Sequence, residues 1–316
     1  MIENDPLVSV IMPAYNASLY IEEAIRSVLD QDYPNIELIV IDDGSSDGTA
    51  ELAESLGEQV RVIRQINGGP AAARNKGIAD ARGELIAFLD ADDLWLPGKL
   101  LAQVAYLAEH PDVGVVYGKF VRWEGCSDGS FPSPPLLQND QGSTTTTLVA
   151  EHSGRIYREL LFDNIVHIIT AMVRKSVFET VGYFDEQLRT GEDYDLWLRV
   201  SQQFQADKLN RTLAYYRMHP QSTTCVPRAE NNEYQVLLRT LRKFGVEGAA
   251  NGRGVDVRLR DRLFNLCFSH GYFHYWKGNP RVAAVAFREA TRHSAFRPRA
   301  WVYWVLSSLK QLNSKG

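Results

Sequence analysis

Strand and helix patterns alternate through the first part of this sequence, and this alternation constrains the fold more than any other feature. Apolar runs at 8–12 and 36–41 are each followed by a segment with apolar residues at helical spacing, at 20–30 and from about 49. Further strands are expected at 60–63 and 85–89, and further helices at 70–81 and from about 97. Repeated βα units place parallel strands between two layers of helices. The sequence therefore predicts an α/β fold with a Rossmann-like, mostly parallel central sheet and helices on both faces.

Three carboxylates, Asp90, Asp92 and Asp93, follow the apolar run at 85–89. Buried strands exclude charge, so acids crowded at a strand end require water or a cation. Ligand sites of open α/β sheets form at the carboxyl ends of strands, which is where this cluster is expected. The Asp-x-Asp spacing suits Mg²⁺ or Mn²⁺, which leave room for phosphate oxygens among their ligands. An exposed acidic turn that merely ends a strand would explain the same pattern.

Bulk properties are those of an ordinary globular protein. The chain has 316 residues, enough for one large domain or two smaller ones, with 45% hydrophobic and 23% charged residues. Its 3 cysteines are far apart and have no metal-ligand spacing, which fits a reducing compartment. The acidic N-terminus does not resemble a signal peptide, and no apolar run approaches the roughly 18–20 residues that span a bilayer. These features predict a cytoplasmic protein.

Charge is distributed unevenly along the chain. Residues 226–316 carry 16 Lys and Arg against 6 Asp and Glu, a net charge of +10, whereas residues 1–225 carry 18 against 33, a net charge of −15. We therefore predict two parts with different partners, an acidic domain at 1–225 and a basic helical segment at 226–316, with helices near 257–277, 280–293 and 299–312. Because aromatic residues at 301–304 accompany these cations, the segment suggests peripheral contact with a membrane or formation of a homodimer.

The second strand is followed by Asp42-Asp43-Gly44-Ser45-Ser46-Asp47-Gly48-Thr49. Asp43, Ser45 and Asp47 have the spacing of an EF-hand calcium loop. An EF-hand loop follows a helix, however, whereas residues 36–41 have a strand pattern. A carboxylate at the end of this strand is better suited to a base edge or a ribose hydroxyl, and Asp47 could cap the next helix.

Two further turns carry candidate ligand groups. Pro13, Tyr15 and Asn16 leave the first strand and offer a stacking ring and an amide, although an ordinary βα turn would look the same. A glycine turn at 67–70 opens an alanine-rich helix in which Arg74 lies close to the helix start. This arginine could bind a diphosphate or form a surface salt bridge.

Two acids, Glu192 and Asp193, lie at the start of a helix that is predicted to begin near Thr190. Thr190 and Asp193 have the spacing of a capping box, which would make them structural. Asp193 also heads a stripe with Leu196 and Trp197 that is expected to face inward. Burial and the charge of Glu192 would raise the pKa of Asp193, whereas the helix dipole would lower it. Asp193 is a general base if the first two effects prevail.

In this order, the motifs at 8–16, 42–45, 73–77, 90–92, 191–193 and 216–219 resemble glycosyltransferase family 2, whose members are inverting enzymes with the GT-A fold. The resemblance implies roles for a set of side chains in a nucleotide-sugar site. It implies nucleotide-sugar contacts at Pro13, Tyr15, Asn16, Asp43, Arg74, Asp90 and Glu192. It also implies a divalent metal, Mn²⁺ or Mg²⁺, at Asp92 and His219, and a catalytic base at Asp193.

The activity implied by the resemblance is inverting transfer of a sugar from a nucleotide-sugar, usually a UDP-sugar, to a hydroxyl of a saccharide or lipid-linked acceptor. Surface polysaccharide synthesis at the inner face of the plasma membrane would fit, with no nucleic acid partner. Two alternatives stay open, a nucleotidyltransferase and an inactive nucleotide-sugar-binding module. The first would carry a glycine-rich basic loop after the first strand, and the second would typically have lost Asp92 or Asp193. The segment at 123–155, rich in Ser, Thr, Pro and Gly, is predicted to be a long loop.

Overall fold

A computed structural model of the chain describes residues 5–126, 130–135, 147–220, 222, 228–246 and 252–313. The chain divides into two compact units. Unit 1 comprises Met1–Tyr157 and Asn164–His219, and unit 2 comprises Arg158–Asp163 and Pro220–Gly316. All the strands described below belong to unit 1, which therefore contains the whole sheet.

The strands of unit 1 form one sheet, eight-stranded within the described residues. They are β1 Val8–Ala14, β2 Ile36–Asp42, β3 Val60–Arg64, β4 Leu85–Phe88, β5 Leu94–Trp95, β6 Val113–Glu124, β7 Met172–Arg174 and β8 Gln205–Met218. The spatial order is β3-β2-β1-β4-β7-β6-β8-β5. The first four strands in this order pair in parallel, as do β6 and β8. Antiparallel pairing links β7 to β4 and β6, and β5 to β8.

The helices of the first part include the five that the sequence predicts, at 20–30, from about 49, at 70–81, from about 97 and after Thr190, and two short ones that it does not predict. They are α1 Ile21–Leu29, α2 Thr49–Ser55, α3 Pro70–Asp80, α4 Lys99–Glu109, α5 Tyr157–Leu160, α6 Lys175–Val181 and α7 Glu192–Val200. In α1 the buried residues recur at helical spacing, Ile21, Ala24, Ile25 and Val28. Pro70 occupies the first turn of α3, where its missing N–H costs nothing.

The turn after β2 follows a strand, so the EF-hand alternative is excluded. Asp47 supports the start of α2, since its carboxylate accepts hydrogen bonds from the Thr49 N–H at 3.1 Å and from the Ser18 N–H at 3.0 Å. The predicted loop at 123–155 lies partly outside the described residues. Within the described part, Trp123 and Glu124 complete β6, and a short 3₁₀ turn forms at Ala150–His152.

Unit 2 is helical, as the sequence predicts. Its long helices are α8 Asn232–Phe244, α9 Gly252–Lys277, α10 Pro280–His293 and α11 Pro298–Asn313. The turn between α9 and α10 is fixed by Asn279, whose side chain accepts a hydrogen bond from the Arg281 N–H at 2.9 Å. Phe264, Cys267, Ala290 and Ala300 form a buried apolar cluster among α9, α10 and α11. Among the described residues, no helix has the length and apolar character to cross a membrane.

Candidate active site

The carboxyl ends of neighbouring parallel strands bring the sequence motifs to one edge of the sheet. Ala14 of β1 pairs with Asp42 of β2, and the Asp43 N–H donates to the Ala14 carbonyl at 2.8 Å. β4 lies on the other side of β1, and Asp90 follows it after one residue. The turns after β1, β2 and β4 therefore lie side by side, which is the usual place for a ligand in an open α/β sheet.

The three carboxylates after β4 contact three different residues. Asp90 accepts from the Arg74 guanidinium at 2.6 Å, and Asp92 Oδ2 lies 2.9 Å from His219 Nε2. Asp93 is fully buried and accepts the Arg217 N–H at 2.7 Å. Burial raises the pKa of Asp93 well above its usual range, and the charges of Asp92 and Asp90 act in the same direction. This is a built cluster, so the alternative of an exposed acidic turn does not apply.

Arg74 joins three elements that are distant in sequence. One guanidinium nitrogen donates to Asp90 at 2.6 Å, and the other donates to Glu192 Oε1 at 2.6 Å. The side chain is 4% exposed, so the ion pairs are buried rather than on the surface. Arg74 thus fixes the end of β4 and the start of α7 against α3, and its charge lies beside both carboxylates.

We expect Arg74→Met to lower the free energy of unfolding strongly. The change leaves Asp90 and Glu192 as partly or fully buried charges without their cation, a loss of about 3–5 kcal/mol in the free energy of unfolding. Urea denaturation of the variant measures it. Arg26→Met is the matched control, because Arg26 pairs with Glu22 at 2.7 Å on the surface and such pairs contribute about 0–1 kcal/mol. Equal losses in the two variants would contradict a structural role for the Arg74 network.

Asp193 lies next to this network at the start of α7. Its Oδ1 accepts the Tyr194 N–H at 2.7 Å, and its Oδ2 lies 3.4 Å from the Asn164 amide nitrogen. Burial raises the pKa of Asp193 to about 7, helped by the charge of Glu192, although Arg74 and the two hydrogen bonds act against the rise. The N-cap of α7 is Gly191, with φ 75°, rather than Thr190. A carboxylate with a pKa near neutrality is suited to take a proton from a hydroxyl group.

Asp92 and His219, the two metal ligands that the resemblance implies, are in contact with each other. Their facing atoms are 2.9 Å apart, a hydrogen-bond distance that also matches the roughly 3 Å between neighbouring ligands of an octahedral ion bonded at about 2.1 Å. Imidazole nitrogen favours Mn²⁺ over Mg²⁺. No group of three or more His, Cys, Asp or Glu side chains is placed to hold a metal within the described residues. Any ion here would therefore need further oxygens from phosphate or water, as Mg²⁺ and Mn²⁺ commonly do.

The residues expected near the nucleotide shape two adjoining turns. The Asp43 carboxylate is 3% exposed and accepts hydrogen bonds from the N–H groups of Gly68 and Gly69, each at 2.8 Å. It therefore holds the turn that starts α3, where Gly69 adopts φ 90°. Asn16 has φ 49°, and its Oδ1 accepts the Ser46 N–H at 2.9 Å.

Tyr15 leaves the sheet beside these turns with its ring 56% exposed, so the ring has a face that can stack on a base. Pro13 is partly buried at the end of β1. The structure thus gathers Tyr15, Asn16 and Asp43 at one pair of turns, while Arg74, Asp90, Glu192 and Asp193 form a second group and Asp92 and His219 a third.

Sequence reasoning did not single out Asn164, His167 and Arg217. Asn164 contacts Asp193, and its buried Oδ1 has no hydrogen-bond partner among the residues that the structure describes. The centroid of the His167 ring lies 4.3 Å from that of Phe120, with the two rings tilted, and burial lowers the pKa of His167 to about 4. These two polar residues interrupt an apolar stretch that has neither helix nor strand periodicity, and only that interruption could have marked them. The Arg217 guanidinium lies 4.6 Å from the Trp123 ring and donates to the Glu23 carboxylate at 2.6 Å.

The chain is similar in sequence and in fold to known proteins. The sequence model of Glycosyl transferase family 2 matches residues 9–182, a range that ends before Glu192, Asp193 and His219. The chain is 34% identical over 219 residues to the putative teichuronic acid biosynthesis glycosyltransferase TuaG of Bacillus subtilis, covering 67% of this chain and 79% of TuaG.

Two solved structures share the fold. S. aureus TarS 1–349 in complex with UDP-GlcNAc aligns with a TM-score of 0.65 and 21% identity, over 95% of this chain and 89% of that one. The chain spans 50% of a longer TarS chain. The mannosyltransferase PcManGT from Pyrobaculum calidifontis, in complex with GDP-Man and Mn²⁺, aligns with a TM-score of 0.55 and 21% identity, over 99% of this chain and 89% of that one. At this identity the two alignments establish a common fold.

Proposed function

Since the chain belongs to glycosyltransferase family 2 and has the GT-A fold, we propose that it transfers a sugar from a UDP-sugar to an acceptor hydroxyl with inversion at the anomeric carbon. The observation that carries this proposal is the position of Asp193. A single carboxylate with a pKa raised to about 7 lies beside the buried Asp90–Arg74–Glu192 network. Direct displacement needs one base and no second carboxylate as nucleophile.

Asp193 would remove the proton of the acceptor hydroxyl as its oxygen attacks the sugar. The carboxylate is kept in place by the Tyr194 N–H at 2.7 Å and by the Asn164 amide at 3.4 Å. Glu192, tied to Arg74 at 2.6 Å, raises the proton affinity of Asp193 through its charge. Proton transfer by a base of this kind contributes about 10²–10⁴-fold to the rate.

The turns after β1 and β2 would bind the nucleotide. Tyr15 offers an exposed ring for the base, and Pro13 and Asn16 shape the turn around it. Asp43 would fix the Gly68–Gly69 turn, since its carboxylate accepts hydrogen bonds from both N–H groups and from the Gln65 amide. A carboxylate has about four lone-pair sites, so Asp43 could accept one further hydrogen bond from the nucleotide. Arg74 and Asp90 would line the nucleotide site as an ion pair.

We further propose that Asp92 and His219 hold a divalent cation, Mn²⁺ or Mg²⁺, together with oxygens of the donor. When bound, such an ion neutralises the charge that develops on the departing diphosphate. Asp92 would be accessible to such an ion, because its side chain is 29% exposed and its carboxylate faces the His219 imidazole. The ion also supplies the local positive charge that the acidic part of the chain, at −15 for residues 1–225, lacks.

The acceptor is proposed to be a saccharide or a lipid-linked saccharide of a surface polysaccharide, reached from the cytoplasmic face of the plasma membrane. The name of TuaG, a putative teichuronic acid biosynthesis glycosyltransferase, supports this class. UDP as the nucleotide is supported by the UDP-GlcNAc complex of TarS, while the GDP-Man complex of PcManGT defines the alternative to test.

A panel of nucleotide-sugars tests the donor. With Mn²⁺ present, a UDP-sugar is expected to raise the melting temperature and to release UDP when acceptor is added, because a ligand present at about 100 times its Kd stabilises the folded state by about 2.7 kcal/mol. GDP-mannose is the matched comparison and should give a smaller shift. A larger shift with GDP-mannose would refute the UDP assignment. A shift without any transfer would favour an inactive binding module.

A further inference from the structure

The outward face of α11 is apolar along the whole helix. Large apolar side chains occupy it, each between 41% and 67% exposed: Trp301, Val302, Val305, Leu306, Leu309 and Leu312. Their spacing places them on one side, while Ala300 and Ser307 on the opposite side are fully buried within unit 2. A helix on the surface of a globular unit normally turns polar residues outward, so this α11 face has the character of a surface that another body covers.

Neighbouring elements of unit 2 extend the α11 face. Phe296, in the turn before α11, is 97% exposed. On α9, Tyr272 and Trp276 are 43% and 61% exposed. The Tyr272 ring is 5.3 Å from Tyr303 of α11 and 6.2 Å from Trp276, so aromatic rings continue the surface from α11 onto α9.

Positive charge surrounds this surface. Residues 272–312 contain 7 Lys and Arg and a single acid, Glu289. Arg299 and Lys310 are exposed on α11 itself, and Lys277 and Arg281 flank the turn between α9 and α10. Among the described residues, Lys277, Arg281 and Arg299 have no ion-pair partner. Their charge is therefore available to an external anionic surface.

We propose that the α11 face docks on an anionic lipid membrane, with α11 lying in the plane of the interface. Exposed Trp and Tyr rings suit the headgroup region, and the aliphatic side chains of α11 would enter the acyl boundary. Each cation near such a surface strengthens binding roughly fivefold. Pairing with a second copy is disfavoured by the same charge, because two strongly basic faces would repel each other.

Vesicle sedimentation of the full chain tests the proposal. We expect binding to phosphatidylcholine vesicles that contain phosphatidylserine, and much weaker binding to phosphatidylcholine alone. Raising the salt from about 0.1 M to about 1 M should release the protein, because the Debye length falls from about 10 Å to about 3 Å. Replacing two cations together, Arg281→Gln with Arg299→Gln, should weaken binding roughly tenfold or more.

Matched variants separate docking from general effects of added charge. Leu309→Glu, at a site 53% exposed on α11, should abolish vesicle binding, whereas Leu101→Glu, at a site 45% exposed on α4, should leave it unchanged. Circular dichroism checks that both variants fold. If the protein ignores anionic vesicles, the proposal is overturned. If it also forms a dimer in analytical ultracentrifugation that Leu309→Glu dissociates, a second copy covers the α11 face instead.

Discussion

Asp193→Asn is expected to lower kcat by about 10²–10⁴-fold while leaving donor binding intact. The amide keeps the shape of the carboxylate and can still accept the Tyr194 N–H, but it cannot take a proton. Because the pKa of Asp193 is raised to about 7, wild-type kcat should fall as pH decreases below about 7. Steady-state kinetics across this range, with the released nucleoside diphosphate as readout, measure both effects.

The stability of the same variant distinguishes a catalytic base from a structural cap. The pKa of Asp193 is about 7 in the folded chain and about 3.9 when unfolded, so the folded state binds more protons between these values. The stability that protonated Asp193 contributes at low pH is therefore lost as pH rises through about 7. Above pH 7 the ionised carboxylate destabilises the folded state. At pH 8 the variant should melt at the same temperature as wild type or higher. A lower melting temperature with near-normal kcat would support the capping-box alternative.

Asp195→Asn is the matched control on the same helix. Asp195 is 6% exposed and accepts from Arg199 at 2.9 Å, so its neutralisation weakens a buried ion pair. This variant should lose stability yet retain kcat when folded. The two variants make the same chemical change two positions apart and are expected to have opposite effects.

Asp92→Ala is expected to reduce transfer by about 10³-fold or more, since a bound Lewis acid contributes several kcal/mol to transition-state stabilisation. EDTA should abolish wild-type activity, and added Mn²⁺ should restore it in wild type but not in the variant. Binding of Mn²⁺ in the presence of UDP, measured by isothermal titration calorimetry, gives a readout that does not depend on turnover.

The fold of Asp92→Ala should be intact, because the Asp92 side chain is 29% exposed and, within the described residues, its one hydrogen bond is to His219. Asp112→Ala, at an exposed acid outside the site, should retain full activity and metal binding. Full activity of wild type in EDTA would refute the metal assignment.

Local pattern carries enough information to predict the first part of the fold. Apolar spacing identifies α1, and the run before Asp90 identifies β4, because burial alone decides both. The two-residue strand β5 and the three-residue strand β7 could not be predicted in this way. Each strand is too short to show periodicity. β5 is defined by its pairing with β8, and β7 by its pairing with β4 and β6, and these partners are distant in sequence.

The members of the candidate site were also easier to predict than their contacts. The sequence predicts that Asp43 contacts a base edge or a ribose hydroxyl, and that Arg74 binds a diphosphate or forms a surface salt bridge. In the structure Asp43 is engaged by Gly68 and Gly69, and Arg74 by Asp90 and Glu192. The partners of a buried charge come from the tertiary fold, and Glu192 is 118 residues from Arg74.

This spacing gives the Arg74 network an order of assembly. The contact between Arg74 and Asp90 closes a separation of 16 residues, whereas the contact with Glu192 closes one of 118. Chain-closure entropy makes the longer contact costlier by about 1.8 kcal/mol before any packing compensates it. The pair of Arg74 with Asp90 can therefore form earlier in folding than the pair of Arg74 with Glu192, which requires α7 to dock.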